Sequence, residues 1–71
     1  MADVYRNKKT GEKLAIVYNR KIELPDGTRI YIMNENNIKE FIEFALRVPM
    51  EEIEVSRNKN YDDVKFPKVK L

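Results

Sequence analysis

The strongest structural signal in the chain lies at residues 34–48, which read NENNIKEFIEFALRV. Five apolar residues in this stretch recur at i, i+3, i+4, i+7 and i+8, the spacing of one face of an α-helix. Pro49 follows and disfavours helical geometry at Val48. We therefore predict an amphipathic helix over residues 35–48. The apolar residues of its core face are Ile38, Phe41, Ile42, Ala45 and Leu46.

The start of this helix has two candidate caps. Asn34 can accept a hydrogen bond from one of the unpaired amides of the first turn. Asn37 together with Glu40 forms a competing capping pair, which would move the start by three residues. Both alternatives leave the predicted core face of the helix unchanged.

A glycine marks the first turn on the N-terminal side of the helix. Gly11 can adopt the left-handed conformation that closes a four-residue turn. We therefore predict that residues 4–7 and 12–18 form a β-hairpin. The register of this hairpin places Arg6 opposite Lys13.

A second turn lies at Pro25-Asp26-Gly27. Proline presets the first turn dihedral, aspartate suits the next position, and glycine suits the bulge that follows. Residues 21–24 and 28–33 are therefore predicted to pair, with Ile22 facing Ile30. This register also places opposite charges across the strands, which favours it.

Residues 13–24 allow two interpretations. The apolar residues on either side of Asn19-Arg20 share even positions, so we favour one long bent strand with a bulge at that dipeptide. The alternative is a tight turn at Asn19-Arg20 that joins two strands. On the favoured interpretation, the helix covers the even-numbered face of the sheet. The predicted core comprises Leu14, Ile16, Ile22, Ile30, Ile32, Ile38, Phe41, Ile42, Leu46 and Ile53.

The C-terminal third begins with a further predicted strand at residues 52–57, where apolar and acidic side chains alternate. Residues 58–63 are polar and predict a loop. The remaining apolar residues suit either an edge strand interrupted by Pro67 or a packed arm.

The complete pattern predicts the α+β class. We expect a small antiparallel β-meander of three to four strands, one amphipathic helix packed on one face, and a further C-terminal strand. Residues 1–57 form a single α+β domain, and residues 58–71 form a basic C-terminal tail or edge strand.

Composition argues against catalysis. The chain has no histidine and no cysteine, so the commonest general base, the commonest zinc ligand and the thiolate nucleophile are all missing. The hydroxyl groups present have no nucleophile motif around them, and adjacent carboxylates on a strand point to opposite faces. We therefore predict a protein that is not an enzyme and has no catalytic residues, metal site or cofactor.

Hydropathy predicts no membrane segment. The longest apolar run is residues 14–18, far shorter than a membrane-spanning helix. No long apolar stretch follows Met1, which argues against a signal peptide. A cytoplasmic location is therefore the expectation from sequence.

Charge is unevenly distributed along the 71 residues. Residues 1–33 carry seven basic and four acidic side chains, a net charge of +3. Residues 34–56 carry two basic and six acidic, and residues 57–71 carry five basic and two acidic, giving −4 and +3. An acidic middle is therefore flanked by two basic segments.

The basic residues suggest one candidate function. On the favoured interpretation, the sheet face away from the helix shows several cations around the small apolar residues Ala15 and Val17 and a tyrosine. Such a face can bind nucleic acid, with cations on phosphates and the ring stacking on a base. Alternatively, the cations only keep an exposed face soluble, or the tail folds over it. The candidate nucleic-acid residues are Arg6, Lys8, Lys9, Lys13, Lys21, Arg29 and Tyr31.

The helix suggests a second candidate function. Phe41, Phe44 and Val48 form an apolar ridge on its flank, with Phe44 roughly 130° from the centre of the core face. Either Tyr61 or Phe66 of the tail covers this ridge, or another chain does. The prediction is a small non-enzymatic interaction module that forms a homo-oligomer or binds a protein partner, and nucleic-acid binding is the alternative.

Overall fold

The computed structural model describes residues 1–67. An antiparallel sheet of five strands in the order β4-β3-β2-β1-β5 carries one main helix on one face, which confirms the predicted fold class. The last four residues of the predicted tail, 68–71, lie outside the described residues. The strands are β1 (Ala2–Asn7), β2 (Lys13–Tyr18), β3 (Lys21–Glu23), β4 (Arg29–Tyr31) and β5 (Ile53–Lys59), and the helices are α1 (Ile38–Leu46) and α2 (Tyr61–Val64).

Both predicted hairpin registers are confirmed. Arg6 pairs with Lys13 across β1 and β2. Ile22 pairs with Ile30 across β3 and β4, and the Leu24 amide donates to the Thr28 carbonyl at 2.9 Å. Gly27 has a φ of 92°, a left-handed conformation that glycine adopts without steric cost.

The favoured long strand over residues 13–24 is wrong, and the alternative tight turn is observed. Asn19 and Arg20 have φ angles of 53° and 59°, and Tyr18 lies opposite Lys21. Positive φ at both central residues is the requirement of a type I′ hairpin turn, whose twist matches that of the flanking strands. The tight turn makes β2 and β3 separate neighbouring strands.

This turn changes which residues share a face. Val17, not Ile16, lies opposite Ile22, so Ala15 and Val17 of β2 join Ile22 of β3 beneath the helix. The register between β1 and β2 also shifts between Tyr5 and Arg6. The buried helix-side core is Tyr5, Leu14, Ala15, Val17, Ile22, Leu24, Ile38, Ile42 and Ile53.

The opposite face of the sheet is also buried at its centre. Ala2, Val4 and Ile16 are 0%, 1% and 0% exposed, yet none belongs to the helix-side core. Ile16 is therefore buried as predicted, but on the face away from α1. The prediction that Ala15, Val17 and the basic residues share one face is wrong for the same reason.

Helix α1 is shorter than predicted. A 3₁₀ turn over Glu35–Asn37 precedes it, and the Asn34 side chain caps this turn by accepting from the Asn36 amide at 2.9 Å. The α-helix itself begins after Asn37, the later of the two predicted starts, but the Asn37 side chain makes no capping hydrogen bond. The helix ends at Leu46 because Arg47 takes a left-handed φ of 57°, and its amide donates to the Glu43 carbonyl. A left-handed residue after the last helical position is a common helix stop.

One predicted core residue of α1 is misplaced. Ile38 and Ile42 are buried and Phe41 and Leu46 are partly buried against the core, as expected. Ala45 is exposed, so the buried face of α1 is narrower than the apolar spacing predicts.

The C-terminal third differs from the predicted loop. A 3₁₀ turn at Met50–Glu52 leads into β5, which pairs with the outer side of β1 and continues to Lys59. Asn60 then caps α2 through its side chain, which accepts from the Asp62 amide at 2.9 Å. Among the described residues, no helix has the length and hydropathy needed to cross a membrane.

Candidate interaction surfaces

The segment after β5 lies against the sheet face opposite α1. We call residues 60–67 the C-terminal arm. The ring of Tyr61 stacks on that of Tyr18, with centroids 4.4 Å apart and planes 17° from parallel. The Tyr61 hydroxyl donates to the Glu23 carboxylate, 3.0 Å from Oε2. The arm therefore covers the part of this face formed by β2 and β3.

Glu23 is the centre of a small polar network beneath the arm. It is 9% exposed and accepts from Arg29 Nε at 2.9 Å as well as from Tyr61. The hydrogen bond to Glu23 raises the pKa of Arg29 above its usual range. Loss of water contact and the bond to Glu23 raise the pKa of Tyr61 above its ordinary value.

Lys13 forms the second contact between sheet and arm. Its ammonium donates to the carbonyls of Val64 and Lys65, and lies 5.1 Å from the ring centroid of Phe66. Burial, followed by the positive charge of Arg6, lowers the pKa of Lys13. This cation is therefore engaged with the arm.

The network gives a pH prediction. The folded-state pKa of Tyr61 lies above its ordinary value of 10.0, so its contribution to stability is complete below pH 10. That contribution is lost as the pH rises through the folded-state pKa, because the phenolate is disfavoured beneath the arm. The difference between absorbance titrations of the wild type and of Tyr61→Phe should show one phenol that ionises above pH 10. A difference that titrates at the ordinary value of 10.0 would contradict the contact.

The predicted basic residues fall into two groups. Lys13, Lys21, Arg29 and Tyr31 are brought to the sheet face opposite α1, where the Lys21 ammonium lies 5.0 Å from the Tyr31 ring centroid. Lys8 and Lys9 lie in the β1–β2 turn, and Lys9 is 3.7 Å from a carboxylate oxygen of Glu52.

Arg6 also bonds within the first hairpin. Its Nη1 donates to the Gly11 carbonyl at 3.2 Å. Part of the predicted basic set therefore does lie together on this face. An acidic residue, Glu23, lies among these side chains, and the arm covers part of the face.

The predicted apolar ridge of α1 divides into buried and exposed parts. Phe41 and Val48 are half-buried and pack against the helix-side core. Phe44 is 85% exposed. Tyr61 and Phe66, the tail aromatics considered as covers, contact Tyr18 and Lys13 on the other side of the sheet instead.

A shallow groove lies beside the ridge, between α1 and the edge strand β4. We call it the α1–β4 groove. Met33 at its rim is fully exposed, at 103%. Sequence reasoning did not find this groove, although the alternation of Ile30 and Ile32 before Met33 was a signal for an apolar edge. Its lining residues are Ile22, Ile30, Tyr31, Ile32, Met33, Asn34, Asn37, Ile38 and Phe41.

Comparisons with protein families, curated proteins and solved structures found no match to this chain. Within residues 1–67, no group of three or more potential metal ligands is brought together. A function must therefore be inferred from the ridge, the α1–β4 groove and the basic residues of the chain itself.

Proposed function

We propose that the protein is a small non-enzymatic interaction module that docks on another protein chain through the ridge of Phe41, Phe44 and Val48. The observation that carries the proposal is the 85% exposure of Phe44 on a helix whose other large apolar residues pack against the core. Exposed aromatic rings beside partly buried apolar residues are typical anchors of protein interfaces.

The polar groups of the sheet support a structural role for the opposite face. Glu23, the carboxylate that is nearly buried, is bonded to both Arg29 and Tyr61. A carboxylate engaged in this way stabilises the fold, which supports the proposal of a non-enzymatic module.

Nucleic-acid binding by the basic face has less support. Lys13 is bonded to the arm, Arg29 to Glu23 and Lys9 to Glu52. Phosphate binding would have to displace or share these partners, which reduces the gain from each contact. The ridge has no such competing contacts among the described residues, so we favour the protein-docking function.

The test is the substitution Phe44→Lys. Because Phe44 is exposed, we expect the free energy of unfolding to change by less than about 0.5 kcal/mol. Binding to a partner chain, or to a second copy, should weaken by more than about 1 kcal/mol if Phe44 is an anchor. Chemical denaturation measures the first effect, and affinity capture from extract together with sedimentation measures the second.

The matched control is Pro67→Lys. Pro67 is exposed and its substitution makes the same change of charge, but it belongs to the C-terminal arm on the other sheet face and does not line the α1–β4 groove. Binding that the control variant retains and Phe44→Lys loses supports the proposal. Unfolding of Phe44→Lys would assign Phe44 to the core, and unchanged contacts would show that the ridge is bare surface.

A further inference from the structure

We propose that the chain docking on the ridge is a second copy of this protein, and that each Phe44 ring seats in the α1–β4 groove of the other copy. This inference rests on the proposed function and names its partner. The phenyl ring and the groove belong to one surface, because Phe41 lines the groove and lies one helical turn from Phe44. Such a surface can pair with itself about a two-fold axis.

The groove has the chemistry and size to hold a phenyl ring. Its volume is about 130 Å³, close to the roughly 150 Å³ of an apolar cavity that binds benzene. The side chains of Ile30, Ile32 and Ile38 supply apolar walls. An aromatic ring entering this groove would remove apolar surface from water on both sides of the contact.

The seating of the two rings favours an antiparallel arrangement of the two helices. Phe41 and Phe44 lie one turn apart within α1, and a two-fold axis between them exchanges their positions in the two copies. In an antiparallel pair, the ring of Phe44 falls beside Phe41 of the second copy. That position lies at the mouth of the second copy's groove.

Charge at the edge of this helix pair is self-complementary. Glu40 precedes Phe44 by one helical turn, Arg47 is the C-cap residue three positions after Phe44, and both are exposed. Within residues 1–67, neither is within 4.0 Å of an oppositely charged group. Antiparallel pairing brings Glu40 of each copy near Arg47 of the other, so the two-fold axis creates two ion pairs from residues that lack one in the single chain.

The area available predicts a weak dimer. Phe44 and Met33 are 85% and 103% exposed, and a buried aromatic side chain removes roughly 150–250 Å² from water. With the groove walls, each copy contributes roughly 400–500 Å², or about 800–1,000 Å² in total, the low end for specific interfaces. We therefore expect reversible association in the micromolar range or weaker.

Sedimentation equilibrium of the full chain, from about 10 µM to about 1 mM, tests the proposal. The wild type should change from monomer to dimer across this range. Phe44→Lys in the ring and Met33→Lys at the groove rim should each weaken the dimer about 30-fold or more, the loss expected for an interface anchor. Pro67→Lys, in the C-terminal arm on the other sheet face, should leave the dimerisation constant unchanged.

A charge exchange tests the antiparallel arrangement. Glu40→Arg and Arg47→Glu should each weaken the dimer several-fold, because each places like charges together. The double variant should restore dimerisation, because the pair is re-formed with its signs reversed. Failure of the double variant to restore it would overturn the antiparallel pairing.

The outcomes separate this inference from the proposed function. A wild-type chain that stays monomeric at about 1 mM overturns the second copy as partner. The proposed function would then be tested by whether binding to a different protein is lost in Phe44→Lys. A dimerisation constant that is unchanged by both Phe44→Lys and Met33→Lys would overturn the proposal that the Phe44 ring binds in the groove.

Discussion

Replacing Ile42 with alanine should lower the free energy of unfolding by about 2–5 kcal/mol. Ile42 is 0% exposed and is the residue of α1 that packs most completely into the helix-side core. Removing its branched side chain loses apolar burial and leaves a cavity that the rigid sheet cannot close. A chain of 71 residues has a total stability of about 4–11 kcal/mol, so this loss removes a large share of it.

Urea denaturation followed by circular dichroism measures this loss, and Ala45→Lys is the matched control on the same helix. Ala45 belongs to the core face by sequence spacing but is exposed in the structure. We therefore expect a change within about 0.5 kcal/mol for Ala45→Lys. A severe loss at Ala45 with a small one at Ile42 would show that the helix is rotated about its axis.

The features that sequence analysis predicted correctly depend on local chemistry. The helix was visible because apolar spacing at 3.6 residues per turn is a property of one segment. The β3–β4 hairpin was visible because Pro25, Asp26 and Gly27 each suit a specific turn position. In both cases, the residues that determine the conformation are near neighbours in the chain.

The β2–β3 turn shows why strand count was harder to predict. A type I′ turn is usually signalled by Asn-Gly, but here the second position is Arg20, with a φ of 59°. A non-glycine residue is uncommon in that conformation, so the dipeptide gave a weak signal. The error then reversed the parity of β2 and placed Ile16 on the wrong face.

The candidate site was only partly predictable for a related reason. The exposure of Phe44 followed from its angle on the helix, because α1 is regular and its core face is well defined. The α1–β4 groove depends on how a helix and a distant edge strand are juxtaposed, which no local pattern encodes. The packing site of the tail aromatics could not be predicted either, because Tyr61 and Phe66 could have packed on either side of the sheet.

Replacing Tyr61 with alanine should lower the free energy of unfolding by about 3 kcal/mol. The substitution removes the ring that stacks on Tyr18 at 4.4 Å, worth about 0.5–1.5 kcal/mol beyond simple burial. It also removes the hydroxyl that donates to the nearly buried Glu23, a bond to a charged group worth about 1.5–3 kcal/mol. Scanning calorimetry or urea denaturation should show the loss directly.

Two companion substitutions separate the components of this effect. Tyr61→Phe keeps the stacked ring but leaves Glu23 with one fewer donor, so its cost should lie between that of Tyr61→Ala and zero. Tyr31→Ala removes an exposed tyrosine from the same face and should cost less than about 1 kcal/mol. Equal effects from Tyr61→Ala and Tyr31→Ala would mean that the arm adds nothing to the fold. A large effect confined to Tyr61 would instead show that the arm stabilises the β2–β3 part of the sheet face opposite α1.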